Sequence, residues 1–292
     1  MVLQCQAAKE KGTHMMKRSF FSVTAPRLQV DSLPGVLPES VRIETPRQIM
    51  LLIEETADNG NAMMLRKGDP VKTGQKISLS TDSKAYAIST VTGTITHIEP
   101  FPGESGKQFT AVSVAVSKET DPDESFATYC DSPSLEGAVD LLGCLPGSPA
   151  FEIFMDADKP IQTIVINAMD QDLFIITAQY ALTAFYHNLT QGIQHLKTIT
   201  GVDRVVIAAP QDAIQGYGDI GASVIGIDKG YPEGLPHLIA QRVAGHEIPV
   251  GKDFQDFGMA FQSVEAVASL GRSFQNKKPA RTKLVTFMDK NG

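Results

Sequence analysis

The sequence predicts an α/β protein in which a small flattened β-barrel precedes a larger domain whose partly parallel sheet is flanked by helices. Two observations carry this prediction. Short alternating segments separated by glycine-containing turns occupy residues 45–117, which is typical of a small all-β unit. A strand, a long helix and a second strand follow between residues 164 and 209, and such a crossover places the two strands parallel in one sheet.

These patterns divide the chain into four segments. They are an N-terminal tail and lead-in, the barrel, a linker and the α/β domain, at residues 1–44, 45–117, 118–133 and 134–292. The linker assignment depends on the acidic, turn-rich sequence that begins at Lys118, because a charged run of this kind is usually solvated. A short helix from Ser134 to Leu142 is predicted to lead into the second domain.

The barrel is predicted from three short segments. Gly68 to Gln75 contains two tight turns around a single strand residue, and Phe109 to Val116 alternates polar and apolar side chains. Between them, Thr90 to Ile98 alternates around Gly93, so we expect one strand that bends at this glycine. Barrels with this pattern, called barrel-sandwich hybrids, form the biotinyl and lipoyl carrier domains.

One hairpin of the barrel raises a carrier hypothesis. Thr81 to Ala85 resembles the lysine hairpin that carries lipoate, with Lys84 at the modified position. Lipoyl domains place Asp directly before that lysine, whereas Ser83 intervenes here. We therefore interpret Lys84 as an ordinary exposed lysine and keep a lipoyl- or biotinyl-type carrier as an alternative function.

The α/β domain is predicted from an apolar run, Ile164 to Ile166, that ends in Asn167 and is typical of a buried strand. A second strand, Arg204 to Ala209, follows later. Between the two strands, apolar residues recur at helical spacing, and they are Ala181, Leu182, Phe185, Leu189, Ile193 and Leu196. Because ligands of parallel sheets bind beyond the carboxyl ends of the strands, Asp170 and Asp172 are placed at a candidate ligand site.

Composition excludes several classes of function. A net charge of -7 gives no electrostatic reason to expect nucleic acid or an anionic membrane surface as a partner. The three cysteines, Cys5, Cys130 and Cys144, are scattered, so no metal site, iron–sulfur cluster or disulfide framework is predicted. No apolar run approaches the roughly 18 residues of a membrane-spanning helix.

Several segments in order resemble the N-terminal and central parts of RnfC, the peripheral subunit of the Rnf electron-transport complex, and more distantly NqrA. They are Lys67–Gln75, Val91–Ile95, Ile164–Asp172, Gly201–Ile207, Tyr231–Gly234, Gly245–Pro249 and Phe261–Val264. The resemblance implies a cytoplasmic protein that is peripheral to the inner membrane and is held there by other subunits of the complex. It also implies that Arg281 to Phe287 is a strand.

The resemblance further implies FMN and NADH sites in the central domain. Flavin-bearing relatives have a glycine-rich loop, which this chain matches at Gly143 and Gly147 but interrupts with prolines. An acidic strand end and a helix start complete the implied cofactor-binding residues, which are Asn167, Asp170, Asp172, Gly234 and His237. Proline lacks the N–H donor that an anion-binding loop uses, so no bound cofactor is expected in this chain.

Two interpretations of the acidic strand end stay open. Asp170 and Asp172 either retain a ligand role or cap a helix that begins near Leu173, and capping would depress their pKa values. Likewise, His237 either replaces a cationic lysine of the relatives or is a solvated residue in the first turn of a helix.

Three functions follow from these expectations. The leading one is a subunit or fragment of an Rnf/Nqr-type membrane-associated electron-transport complex, with a degenerate flavin/NADH site and a docking role. A functional FMN-dependent NADH oxidoreductase module is the first alternative, and the carrier domain that uses Lys84 is the second. Catalytic residues are left unassigned, and enzyme activity depends on which of these functions holds.

Overall fold

The computed structural model describes residues 39–287 apart from 56–63, 81–84, 144, 146, 173–174, 214–217, 231 and 250. The barrel contains strands β1 to β6, at Gln48–Glu54, Pro70–Val71, Lys76–Ser78, Tyr86–Ile88, Gly93–Pro102 and Gln108–Val116. The second part contains helices α1 to α6, at Ser125–Asp131, Leu135–Leu142, Thr177–Ala184, Tyr186–Thr200, Pro236–Ala244 and Val264–Asn276. Its strands β7 to β10 are Thr163–Asn167, Arg204–Pro210, Ser223–Ile227 and Met259–Ser263.

The barrel is closed by an antiparallel sheet and a short hairpin. The sheet has the order β1-β6-β5-β2, and β3 pairs with β4. Alternate residues of β1 point inward, so Leu51 and Ile53 are buried with Val112 and Val114 of β6. This alternation is expected for strands with one face on a core and one face in water.

Gly93 begins β5 instead of bending it, which corrects the prediction from the sequence. A side chain at Gly93 would overlap the carbonyl oxygen of Ala115 on β6. The irregularity in β5 lies between Ile95 and His97, where the pairing with β6 shifts, as at a β-bulge. The glycine is therefore explained by close strand approach.

The second domain is built on a parallel sheet of order β10-β7-β8-β9. Every residue of the central strand β7 is buried. Ile164 and Ile166 face α4 and α6, whereas Val165 faces α5 with Ile239. Helices therefore cover both faces of the sheet, which explains why β7 is a continuous apolar run.

The predicted long helix is two helices that are separated at Phe185. The first helix begins at Thr177 and not near Leu173. The second packs so closely on α6 that side chains at Gly192 and Gly271 would overlap the carbonyl oxygens of Val267 and Asn188. This glycine-based contact between α4 and α6 is named the helix crossing below.

Residues 118–133 are not a solvated linker throughout. Helix α1 forms within this segment, and its Phe126 and Tyr129 are buried in the core of the second domain. Both rings contact Phe274 of α6, with ring centroids 5.8 Å apart. The acidic sequence concealed these aromatic anchors, because the charges lie mainly before the helix.

Arg281 to Phe287 does not form the expected strand. The C-terminal segment, residues 278–287, instead runs back along α6 without regular secondary structure. The amide N–H of Ala280 donates to Ser273 Oγ at 2.8 Å, and that of Leu284 donates to Glu265 Oε1 at 2.6 Å. Across the part of the chain that the structure describes, we find no helix that is both long and apolar enough to span a membrane.

Candidate functional site

The candidate site begins where β7 ends. Asn167 is the last residue of this strand and pairs with Ala208 of β8 and with Ser263 of β10. Its side chain is buried, and Oδ1 accepts a hydrogen bond from the Met169 N–H at 2.9 Å. The bond stabilises the turn that carries the chain out of the sheet.

Asp170 caps helix α3 from a position upstream of the helix in the sequence. Its Oδ1 accepts from the Ala178 N–H at 2.7 Å, and Oδ2 accepts from the Gln179 N–H at 3.4 Å and from Gln179 Nε2 at 2.8 Å. The residue directly before the helix, Ile176, has no side-chain acceptor, so Asp170 satisfies amide groups that would otherwise lack a partner. Gln179 is a member of this site that sequence analysis missed.

Burial raises the pKa of Asp170 above its ordinary value. The hydrogen bonds from Gln179 and Ala178 and the charge of Lys229 act in the opposite direction, but burial is the larger cause. The expectation of a depressed pKa for this capping carboxylate was therefore wrong, because the capped helix start is removed from water.

Asp172 does not share this environment. It is exposed, and within the described residues its carboxylate has no hydrogen bond, while its backbone carbonyl accepts from the Ile175 N–H at 3.3 Å. The two acids that the sequence pairs thus have different surroundings.

Gly234 is brought to the end of β7, next to Met169. A side chain at Gly234 would begin 3.3 Å from Met169 Cβ, so this glycine is closely packed. His237, in the first turn of α5, is not simply solvated, because its Nε2 lies 3.0 Å from the carbonyl oxygen of Ile248 and its ring lies against Phe254. The histidine therefore joins α5 to the segment that follows it.

The loop matched to the flavin loop of the relatives lies against α6. Gly143 ends α2, and a side chain there would lie 2.6 Å from Glu152 Oε1 and 2.7 Å from the Val139 carbonyl oxygen. Gly147 has a φ of 75°, which favours glycine. The cavity beside Gly147, which Ser269 and Ser273 also line, has a volume of about 10 Å³.

These residues do not fit a flavin. A flavin loop needs bare backbone that faces open space, whereas the space in front of Gly143 is filled by Glu152 and Val139. At the end of the loop, Ala150 exchanges hydrogen bonds with the Gln262 side chain of β10, at 3.0 and 3.2 Å. A cavity of about 10 Å³ is roughly the minimum for one water molecule.

A larger groove lies at the opposite edge of the sheet, before β7 and β10. Its volume is about 430 Å³, and its walls include Gln162, Phe257 and an ion pair between Lys159 and Asp256 at 2.8 Å. No motif in the sequence pointed to this edge. Lys84, the residue of the carrier hypothesis, lies outside the described residues.

The fold thus defines a class of protein in which a barrel-sandwich unit is joined to a parallel α/β domain. Residues 39–120 match the family model of the RnfC barrel sandwich hybrid domain, and this match confirms the predicted resemblance to RnfC and the barrel. Beyond the barrel, the chain is similar to curated proteins that are named as the RnfC component of the ion-translocating oxidoreductase complex.

The similarity to these relatives is broad and of low identity. The chain is 22% identical over 292 residues to the protein of Buchnera aphidicola subsp. Baizongia pistaciae, covering 92% of this chain and 58% of the relative. It is 22% identical over 259 residues to that of Haemophilus influenzae strain PittEE, covering 81% and 39% respectively. The chain therefore spans only part of the length of each relative.

Proposed function

We propose that this chain is a subunit of an Rnf-type ion-translocating oxidoreductase complex and that it acts there mainly as a docking scaffold with a degenerate flavin/NADH site. The subunit role is supported by the matched barrel domain and by the names of the relatives. Its partners would be other subunits of the complex, which would hold it at the cytoplasmic face of the inner membrane.

The observation that carries the degenerate site is the engagement of Asp170. Its two carboxylate oxygens accept three hydrogen bonds from the start of α3, so little acceptor capacity is left for a nicotinamide. The packed loop at Gly143 and the contact between Gly234 and Met169 support the same conclusion. Each residue expected to bind a cofactor, apart from the exposed Asp172, contributes to the fold.

Calorimetric titration of the purified protein with FMN and with NADH tests the degenerate site. We expect no binding tighter than about 100 μM, which corresponds to roughly 5.5 kcal/mol. A sub-micromolar dissociation constant, or flavin that stays bound through gel filtration, would favour the alternative of an intact FMN-dependent oxidoreductase module.

The subunit role needs a separate test. The tagged chain, purified from detergent-solubilised membranes of its source organism, should bring down the homologues of the other Rnf subunits, identified by mass spectrometry. Recovery of the chain without any of them would contradict the subunit role, whatever the flavin titration gives.

A further inference from the structure

Three arginines meet where the N-terminal lead-in, α6 and the C-terminal segment come together. Arg272 Nη2 donates to the carbonyl oxygen of Thr282 at 3.4 Å. Arg281, the residue before Thr282, donates from Nη1 to the carbonyl oxygen of Thr90 in the barrel at 3.0 Å. Arg42 lies close enough for its charge to interact with Arg281. These residues, Arg42, Arg272 and Arg281, are the arginine cluster.

The surrounding aromatic side chains hold the cluster in position. The Arg272 guanidinium lies 5.5 Å from the ring centroid of Phe185, a cation–π contact. Phe185 packs edge-on against Tyr180, and the Tyr180 hydroxyl donates to Ser40 Oγ at 3.0 Å. The lead-in is therefore tied to α3 two residues before Arg42.

The cluster has no acidic partner within the described part of the chain. No ion pair there includes any of its three arginines, and the nearby carboxylate of Glu265 accepts a hydrogen bond from Leu284. Partial burial, and then the positive charge of Arg42, lower the pKa of Arg281. Like charges are thus gathered without compensation in a protein whose net charge is -7.

Exposed apolar side chains surround these charges. Val41 and Ile43, on either side of Arg42, are 89% and 72% exposed. Val285 and Phe287, which follow Arg281 on the C-terminal segment, are 64% and 79% exposed. A surface that combines large exposed apolar groups with uncompensated charge is typical of a binding site.

We propose that the arginine cluster is a docking site for an acidic segment of a partner protein, whose carboxylates pair with the guanidinium groups and whose apolar side chains cover the surrounding residues. Guanidinium groups held in a fixed orientation suit the paired hydrogen bonds of a carboxylate, whereas attraction to a lipid surface needs only mobile positive charge. The proposal rests on the docking role proposed above and supplies a surface for it.

Fluorescence anisotropy with a fluorescein-labelled short peptide of alternating Glu and Leu tests the proposal. We expect the wild type to bind this peptide and to bind its Gln-for-Glu counterpart about tenfold more weakly or worse, since each charge-assisted hydrogen bond contributes substantially. The triple variant R42Q/R272Q/R281Q should lose binding to a similar extent. A matched control, K107Q/K159Q/K252Q, removes the same charge elsewhere and should bind within about twofold of wild type.

The single variant R42Q guards against misfolding of the triple variant, because Arg42 is exposed and makes no hydrogen bond in the described structure. It should weaken peptide binding about threefold or more. Binding that is indifferent to the cluster or to the peptide charge, or no binding at all, would overturn the proposal.

Vesicles of phosphatidylcholine with and without phosphatidylserine test the lipid source of negative charge. Cluster-dependent binding to the phosphatidylserine vesicles without peptide binding would assign the surface to a membrane and also overturn the proposal. Copurification of the triple variant with Rnf subunits, as efficiently as wild type, would leave the subunit role intact while removing the docking role of the cluster.

Discussion

The helix crossing and the candidate site both depend on glycine and on hydrogen-bonded turns, but they differ in what surrounds them. At the helix crossing, Gly192 and Gly271 meet the backbone of the opposite helix in a buried core. At the candidate site, Gly143 is half-buried and meets one movable side chain, Glu152, as well as a carbonyl group. The comparison teaches that a bare backbone in a family-like loop can be filled by the protein itself.

Replacement of Gly192 by alanine should have the largest effect. The new methyl group overlaps the Val267 carbonyl, which cannot move without disturbing α6, so we expect a loss of about 3 kcal/mol of unfolding free energy. Urea denaturation measures the loss. Gly218→Ala is the matched control, because nothing lies within 4 Å of that position, and equal stability of the two variants would contradict the packing explanation.

Gly143→Ala should cost less, about 1–2 kcal/mol, because the carboxylate of Glu152 can rotate away while the Val139 carbonyl cannot. The double variant G143A/E152A should recover part of the loss in the same urea experiment. If Gly143→Ala were as stable as wild type, the position would be open to a ligand, and the candidate site would differ from the helix crossing in kind.

Removal of the Asp170 carboxylate should destabilise the start of α3. Asp170→Ala should lose about 1–2 kcal/mol, as for other helix caps. Asp172→Ala is the control, because its exposed carboxylate makes no hydrogen bond within the described residues, and it should stay within about 0.5 kcal/mol of wild type. Chemical denaturation that gives the same loss for both variants would contradict the capping role of Asp170.

A smaller, pH-dependent effect should distinguish Asp170 from Asn. Since burial raises the folded pKa of Asp170 above 3.8, the folded state binds its proton more tightly than the unfolded state. Wild type therefore loses stability as pH rises from below 3.8 through the folded pKa, whereas Asp170→Asn lacks this loss. Unfolding free energies from about pH 3 to about pH 8 should shift in favour of the Asn variant, and a shift towards wild type would mean a depressed pKa.

The sequence predicted the sheet more accurately than the helices and the site. Strands β7 and β8 match their apolar runs within one residue at each end, because strands buried on both faces leave a continuous signal. The break at Phe185 was missed because helical spacing continues across it. The cap by Asp170 was also placed wrongly, since the intervening turn separates this residue from the helix that begins at Thr177.

Contacts between distant segments could not be predicted at all. Glu152 faces Gly143 only because a 3-10 turn at Glu152–Phe154 folds back on α2, and periodicity carries no information about such pairing. The arginine cluster likewise joins Arg42 to Arg281 across most of the chain. The net charge of -7 concealed this local positive surface.

Thermal unfolding of wild type and Asp170→Ala, each with and without NADH and FMN, tests most directly whether the residues of the candidate site stabilise the fold instead of binding a cofactor. We predict a lower Tm for the variant and no shift with either ligand, because a ligand that does not bind the folded state cannot stabilise it. A ligand-dependent rise in the Tm of wild type that disappears in Asp170→Ala would contradict the account and make Asp170 a cofactor-binding residue.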